Sequence, residues 1–204
     1  MIKKEEALLS KEQKKARFTE FYLISHPISA NLLCDKDNHL MLKDQSMDEF
    51  EASMPYAFRI AGEMAEIQSQ SLKPLRGLGE KLTDLLDYLK FQAKKIDLMM
   101  SYILQQQDDP NNRVSAIKFG GGGVVIETTQ EIELGETCIV KLFLETESTA
   151  VYCYAEAIEF VELDGRNQIS FLFTHIRDTD QELLVRASLH LQTAALRKQQ
   201  NKAD

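Results

Sequence analysis

The sequence predicts an α+β fold in which long helices come first, a small antiparallel β-barrel follows, and a C-terminal helix closes the chain. Residues 45–107 are rich in Leu, Met, Ala, Gln, Glu and Lys, which favour helices. After the turn-forming stretch 108–112, Val, Ile, Phe, Tyr and Thr prevail, and these favour strands. Helix-forming residues return after His175. Because helical and strand segments are segregated along the chain, the predicted class is α+β.

Three regions follow from these shifts in composition. Residues 1–44 form an N-terminal segment without an assigned role, which either packs on the barrel or serves as a partner-binding arm. Residues 45–107 form a helical region for oligomerisation, and residues 112–199 form the barrel with its closing helix. The length of 204 residues suits one domain with an extension, or two small domains.

The charge of the chain limits its partners. The sequence has 24 Lys+Arg and 32 Asp+Glu, a net charge of −8, which argues against binding a nucleic-acid polymer through its phosphates. Residues 108–176 carry twelve acidic and four basic side chains, so the barrel region accounts for the whole net charge. No apolar run approaches the roughly 18 residues of a membrane span, and the charged N-terminus is not a secretory signal. We therefore expect a cytoplasmic protein that does not insert into membranes.

The cysteines and histidines give no sign of a metal site or of catalysis. The three cysteines Cys34, Cys138 and Cys153 form no CxxC pair, which favours reduced thiols over a disulfide framework or a zinc site. The four histidines are scattered and lack metal-ligand spacing. No nucleophile, base and orienting group stand in a recognisable pattern. The sequence predicts a protein that is not an enzyme, with no metal and no cofactor.

Two capping signals mark helix starts. Ser46 and Glu49 have the spacing of a capping box, which predicts a helix from about Met47. Pro55 either kinks that helix or marks a later start. Thr179 and Glu182 repeat the capping-box spacing and predict the start of the closing helix.

The most regular feature is a heptad pattern over residues 75–106. Mostly apolar residues recur at alternating spacings of three and four for about four heptads, which is typical of a coiled-coil helix. The a and d positions are, in order, Leu75, Leu78, Leu82, Leu85, Leu89, Gln92, Ile96, Met99, Ile103 and Gln106. At 1.5 Å per residue the helix is roughly 45–50 Å long, more than a small β-domain needs for its own core.

The flanking e positions widen this apolar stripe. They are small or apolar rather than charged, which favours more than two helices around one core. Gln92 at a d position would fix register and helix number. We predict self-association through this helix; the alternative is that the stripe packs on the chain's own first helix and barrel. The residues predicted to mediate oligomerisation are Leu75, Leu78, Leu82, Leu85, Leu86, Leu89, Gln92, Ile96, Met99, Met100 and Ile103.

Strands are predicted between the turn at 108–112 and the closing helix. Their positions are about 113–119, 123–128, 137–145, 150–162 and 167–174, and short turns separate them. Alternation of residue type along the later strands is typical of a sheet with one buried face. Five or six short antiparallel strands at this spacing indicate a small barrel.

A glycine turn and the segments around it resemble a known family. The first predicted strand ends in a run of four glycines, Val124-Val-Ile126 follows, and Leu134-Gly135 precedes the next strand. Ile169-Ser-Phe171-Leu-Phe173 and then Asp180-Gln-Glu-Leu183 lead into the closing helix. Over about residues 45–200 this layout resembles a PilZ domain, the bacterial module linked to cyclic di-GMP signalling. With the heptad helix in front, the chain is similar to an atypical PilZ branch whose members assemble as tetramers.

The resemblance implies a ligand site that this sequence only partly retains. Typical PilZ domains bind cyclic di-GMP with an RxxxR segment and a D/N-x-S-x-x-G segment. No Arg-x-x-x-Arg occurs here, and with Gly123 as the last motif glycine, Lys118 and Gly120 replace the Asp/Asn and Ser. Arg113 is the only arginine near the barrel entrance. The degenerate site therefore comprises Arg113, Lys118, Gly120 and Gly123.

Electrostatics argues in the same direction as the missing motifs. A dianionic nucleotide needs paired guanidinium groups, and the acidic barrel region would repel it. The resemblance thus implies a regulatory or scaffolding protein of motility, adhesion or virulence, with an unidentified signalling or motility protein as partner. The alternative is an atypical cyclic di-GMP receptor that uses non-standard residues such as Arg113 and Lys118, across subunits.

Overall fold

The computed structural model describes residues 10–34, 39–71, 83–163 and 166–200. Six α-helices, one short 3-10 helix (Glu145–Glu147) and six strands lie in these ranges. In chain order they are α1 Lys11–Glu20, β1 Ile24–Leu33, α2 His39–Asp44, α3 Met47–Ser53, α4 Tyr56–Ser71, α5 Thr83–Gln105, β2 Arg113–Phe119, β3 Gly123–Thr128, β4 Thr137–Leu144, β5 Thr149–Leu163, β6 Arg166–His175 and α6 Asp178–Gln200. Within this part of the chain, no helix has both the length and the apolar character needed to span a bilayer.

The six strands close into an antiparallel barrel in the order β1-β2-β3-β6-β5-β4. This confirms the predicted α+β class with a small barrel. The sequence places the start of the barrel at residue 112, whereas β1 comes from the segment 1–44. Pro27 lies where the register between β1 and β2 shifts, and polar residues alternate irregularly along β1, so its sequence lacks a clear strand pattern.

Apolar side chains fill the barrel and continue under the closing helix. The interior includes Leu32, Phe119, Ile126, Val140 and Phe171, and Leu183, Leu184 and Ala187 of α6 join the same cluster. Each of these leucine, isoleucine, valine and phenylalanine side chains stabilises the fold by about 1.5–3 kcal/mol when fully buried. The closing helix is therefore part of the barrel core.

The helices between β1 and β2 pack on the outside of the barrel. Phe50 and Phe58 are fully buried against Tyr152 and Tyr154 of β5. The capping box at Ser46 and Glu49 is confirmed, because each side chain accepts a hydrogen bond from the other's backbone N–H. Pro55 separates α3 from α4 instead of bending one helix.

The start of α6 differs from the predicted capping box. The helix begins at Asp178, one residue before the predicted cap Thr179. Arg177 takes part in this start, because its side chain reaches forward to the carboxylate of Asp180. The ion pair between Arg177 and Asp180 therefore stabilises the start of α6, and the capping-box pattern used for the prediction does not include such a pair.

Cys34 and Cys138 form a disulfide, so the expectation of three free thiols is wrong. Their sequence separation of 104 residues hides the contact, which arises because β1 and β4 are neighbours in the barrel. Cys153 remains a buried free thiol.

Candidate functional site

Arg113 already has a carboxylate partner within the chain. Its Nε lies 2.9 Å from Oδ2 of Asp108, and Nδ2 of Asn31 donates to Oδ1 of Asp108 at 2.8 Å. Partial burial alone would raise the pKa of Asp108, but the hydrogen bonds from Arg113 and Asn31 hold that pKa below its usual value. A phosphate at Arg113 would therefore have to compete with Asp108.

Lys118 lies at the opposite end of β2 from Arg113. Four residues lie between them, so the strand rise places their Cα atoms roughly 17 Å apart. Lys118 is exposed and pairs through its backbone with Ser25 and Val125. A single chain therefore does not bring Arg113 and Lys118 together around one ligand.

The four-glycine run forms a tight turn that the N-terminal segment covers. A side chain at Gly122 would stand 2.8 Å from the carbonyl oxygen of Arg17, and one at Gly121 would stand 2.9 Å from the ring of Phe21. The carbonyl of Gly121 accepts a hydrogen bond from Nε2 of Gln181 at 2.9 Å. Gly120 and Gly123 are buried as well. The glycines let the backbone of α1 approach the barrel, which leaves no open cradle here.

Lysines of the N-terminal segment and α2 neutralise carboxylates of β5. Lys14 and Lys43 both pair with the buried Glu156, and Lys15 pairs with Glu159 at 2.6 Å. These lysines come from outside the acidic barrel region and offset part of its charge. Sequence reasoning missed their role because the ion pairs span more than 100 residues.

A cavity of about 210 Å³ lies beside the C-terminal end of α5. Its lining includes the acidic residues Asp108 and Glu145 and the hydroxyl residues Ser101 and Thr149, and among the residues that the structure describes no lysine or arginine lines it. Asp108 is already paired with Arg113, and Glu145 adds a negative charge, so the lining offers no cationic group to bind the phosphates of a dianionic ligand. The cavity is therefore not a substitute for the missing nucleotide motifs.

The helix α5 packs on its own chain along only part of its surface. Met100 and Leu104 are buried in the cluster between α4 and the barrel. Met100, an e position of the heptad pattern, therefore packs against its own chain. The predicted residues Leu75, Leu78 and Leu82 lie outside the described residues, as does the side chain of Leu86.

The a and d positions of α5 are only partly covered by the chain itself. Five of them are apolar and between 41% and 67% exposed, and Gln92 is half-buried. Tyr88, Phe91, Leu98 and Tyr102 add further exposed apolar surface. We call the five apolar residues at the a and d positions the α5 stripe: Leu85, Leu89, Ile96, Met99 and Ile103. The packing of α5 on its own chain thus involves Met100 and Leu104, and the α5 stripe is left partly exposed.

Comparison with known proteins identifies the fold. No family model and no curated protein matches this sequence. The structure is similar to a tetrameric PilZ domain protein from Xanthomonas campestris, which self-assembles through an unusual helical bundle. The two share 13% sequence identity with a TM-score of 0.55, over 89% of this chain and 96% of that one. The predicted resemblance to an atypical PilZ domain is therefore confirmed for the fold, including the helical region.

Two further structures resemble smaller parts of the chain. YcgR from Escherichia coli in complex with cyclic di-GMP is 19% identical, over 48% of this chain and 43% of that one, with a TM-score of 0.40. The inhibitor of motility MotI from Bacillus subtilis is 15% identical, over 40% and 42%, with a TM-score of 0.39.

Proposed function

We propose that this protein is a cytoplasmic, non-enzymatic PilZ-like regulator or scaffold in cyclic di-GMP-linked bacterial signalling, and that it self-associates through α5. The α5 stripe is the observation that carries this proposal. Five large apolar side chains in heptad register lie uncovered on one helix. These side chains are already about half buried, so covering the rest of them in an assembly contributes about half of the 1.5–3 kcal/mol that complete burial gives each, which favours association between copies.

A tetramer is the proposed assembly. The Xanthomonas protein with the same fold is described as tetrameric through a helical bundle, which supports this number by analogy. The half-buried Gln92 lies at a d position, where a polar side chain fixes register and helix number. Phe91 and Leu98 are exposed apolar residues at c positions, outside the stripe, and they suit a helix with more than one neighbour.

Sedimentation equilibrium of the purified chain tests the assembly. We expect a species of four chains, well above the monomer mass of 23.3 kDa. A monomer at tens of micromolar would refute self-association. A stable dimer would keep the α5 stripe as the interface but overturn the tetramer.

We further propose that the chain does not bind cyclic di-GMP by the usual motifs. Four observations support this: Arg113 is paired with Asp108, Lys118 is remote from it, α1 covers the glycine turn, and the cavity beside α5 is lined by carboxylates. The partner would then be a signalling or motility protein instead of the nucleotide.

Calorimetric titration with cyclic di-GMP separates this proposal from the atypical receptor. We expect no heat of binding. Micromolar binding that Arg113→Ala abolishes and Arg166→Ala preserves would establish the receptor. Arg166 is a matched control because it is also a barrel arginine paired with a carboxylate, Glu127 at 3.0 Å.

A further inference from the structure

Cys34, Cys138 and Glu136 converge at one end of the barrel. Cys34 follows β1 and Cys138 lies on the neighbouring strand β4, with their Cα atoms 4.5 Å apart. The two sulfur atoms and a carboxylate oxygen of Glu136 all lie within 4.8 Å of one another. Neither the long separation of the cysteines nor their spacing to Glu136 matches a metal motif, so the sequence did not predict this group.

The surroundings of Glu136 leave it short of positive charge. Its side chain is buried and accepts one hydrogen bond, from the backbone N–H of Glu133 at 3.1 Å. In the part of the chain that the structure describes, no lysine or arginine pairs with Glu136. The buried Glu156 on β5, by contrast, has both Lys14 and Lys43. Because a buried carboxylate without a cation costs free energy, the site favours a positive ion.

We propose that the reduced form of this group binds a divalent zinc ion through the thiolates of Cys34 and Cys138 and the carboxylate of Glu136. Zn²⁺ takes thiolate sulfur at about 2.3 Å and carboxylate oxygen at about 2.0–2.2 Å in tetrahedral geometry, so its ligand atoms lie roughly 3.3–3.8 Å apart. Rotation of the side chains brings the three atoms to that spacing once the disulfide is open. Water supplies the fourth ligand on the side of Cys34, which is the half-exposed cysteine.

The disulfide and the zinc site exclude each other. In the disulfide both sulfurs are bonded to each other and neither is a thiolate, the form that binds metal. Reduction by a phosphine breaks the S–S bond: the phosphorus takes the oxygen of one water molecule, and the two sulfurs take its protons. Zinc then displaces those two protons to the solvent. Metal binding is therefore gated by the redox state of Cys34 and Cys138, and this inference is independent of self-association.

The test compares the full-length chain in its two redox states. After phosphine reduction and removal of metal, we expect one Zn²⁺ bound per chain in competition with a chromophoric chelator. The disulfide form should bind none at the same site. Co²⁺ in place of Zn²⁺ should give thiolate-to-cobalt charge-transfer absorption and the strong visible bands of a tetrahedral site, which identifies sulfur ligation directly.

Variants locate the ligands. Cys34→Ser should abolish high-affinity zinc binding, and Glu136→Gln should weaken it by at least about tenfold. Removing a group that only hydrogen-bonds to a metal ligand already weakens metal binding by about that factor, so removing a ligand should cost no less. Cys153→Ser is the control, because this third cysteine is buried elsewhere in the barrel and should leave zinc binding unchanged. Circular dichroism checks that each variant is folded. Cys138→Ser should also abolish high-affinity binding, but Cys138 is fully buried and this variant could fail to fold. Cys34 is only half-buried, so Cys34→Ser then decides the test.

Three results would overturn the proposal. The first is zinc binding by the reduced chain no tighter than by Cys34→Ser. The second is unchanged affinity in Glu136→Gln, which would remove the carboxylate from the site. The third is a disulfide that cannot be reduced in the folded chain, because the proposed dithiol state would then not exist.

Discussion

Arg177 donates two hydrogen bonds to the carboxylate of Asp180, at 2.8 and 3.0 Å, and a third to the carbonyl oxygen of Phe58 at 3.0 Å. Asp180 is fully buried, and burial raises its pKa against the opposing effect of Arg177. Phe58 belongs to α4, whereas Arg177 and Asp180 lie at the start of α6. One guanidinium group therefore connects the helical region to the helix that closes the barrel.

Asp180→Ala should destabilise the fold by about 3–5 kcal/mol, because it leaves the mostly buried guanidinium of Arg177 without its carboxylate. Urea unfolding at fixed protein concentration measures the change. Glu182→Ala, an exposed carboxylate in the same helix turn, should change stability by no more than about 0.5 kcal/mol. Equal effects of the two variants would mean that the ion pair does not stabilise the junction.

Phe18 of α1 packs on the glycine turn, and its removal should loosen the N-terminal segment from the barrel. The side chain is buried with Val125, Ile158 and Leu172, so Phe18→Ala should cost about 3–5 kcal/mol. Hydrogen exchange should then show lost protection in α1 and at the glycine turn. Tyr22→Ala, at an aromatic residue that is 61% exposed, is the control and should leave both unchanged. Unaltered exchange in Phe18→Ala would contradict the view that α1 is held by this contact.

Local sequence signals predicted local structure well. The capping box at Ser46 is formed, and the strands from Arg113 onward lie within a few residues of their predicted bounds. These elements depend on residues close together in sequence. The strand β1 was missed because Pro27 and scattered polar residues obscure its alternation, and its partners follow four helices later.

The candidate sites are formed by residues that are far apart in the sequence, and the spacing of residues in a single sequence does not reveal such contacts. Cys34 meets Cys138, and Lys14 meets Glu156, only because the barrel makes their strands and helices neighbours. The heptad pattern predicted that Met100 mediates oligomerisation, whereas in the structure Met100 is buried between α4 and the barrel of its own chain. The periodicity of a sequence identifies the apolar faces of a helix, but only the folded structure shows which of these faces is buried.

Asp108 should make the stability of the fold fall at acidic pH. Its pKa in the folded chain lies below the ordinary value of 3.8, so it is a stabilising group while it is ionised. That contribution is fully present above about pH 5 and is lost as the pH falls through the lowered pKa. In Asp108→Asn the decline in unfolding free energy between about pH 5 and pH 2 should be shallower than in the parent chain.

The control for this pH experiment is Asp44→Asn. Asp44 is exposed and makes no ion pair among the residues that the structure describes. In Asp44→Asn the unfolding free energy should depend on pH as it does in the parent chain. If Asp108→Asn also shows the pH dependence of the parent chain, the pairing of Asp108 with Arg113 and Asn31 does not contribute to stability in solution.

Ile96→Asp should dissociate the assembly, because it places a charge in the middle of the α5 stripe, where association would remove it from water. Sedimentation should then give the monomer mass of 23.3 kDa, with an unchanged circular dichroism spectrum, since Ile96 is 48% exposed in the single chain. Leu89→Asp should act in the same way from the preceding a position. Lys94→Asp introduces the same residue on the same helix outside the a and d positions, and it should leave the assembly intact. An assembly that survives both stripe variants, or that Lys94→Asp disrupts equally, would place the interface somewhere other than the α5 stripe.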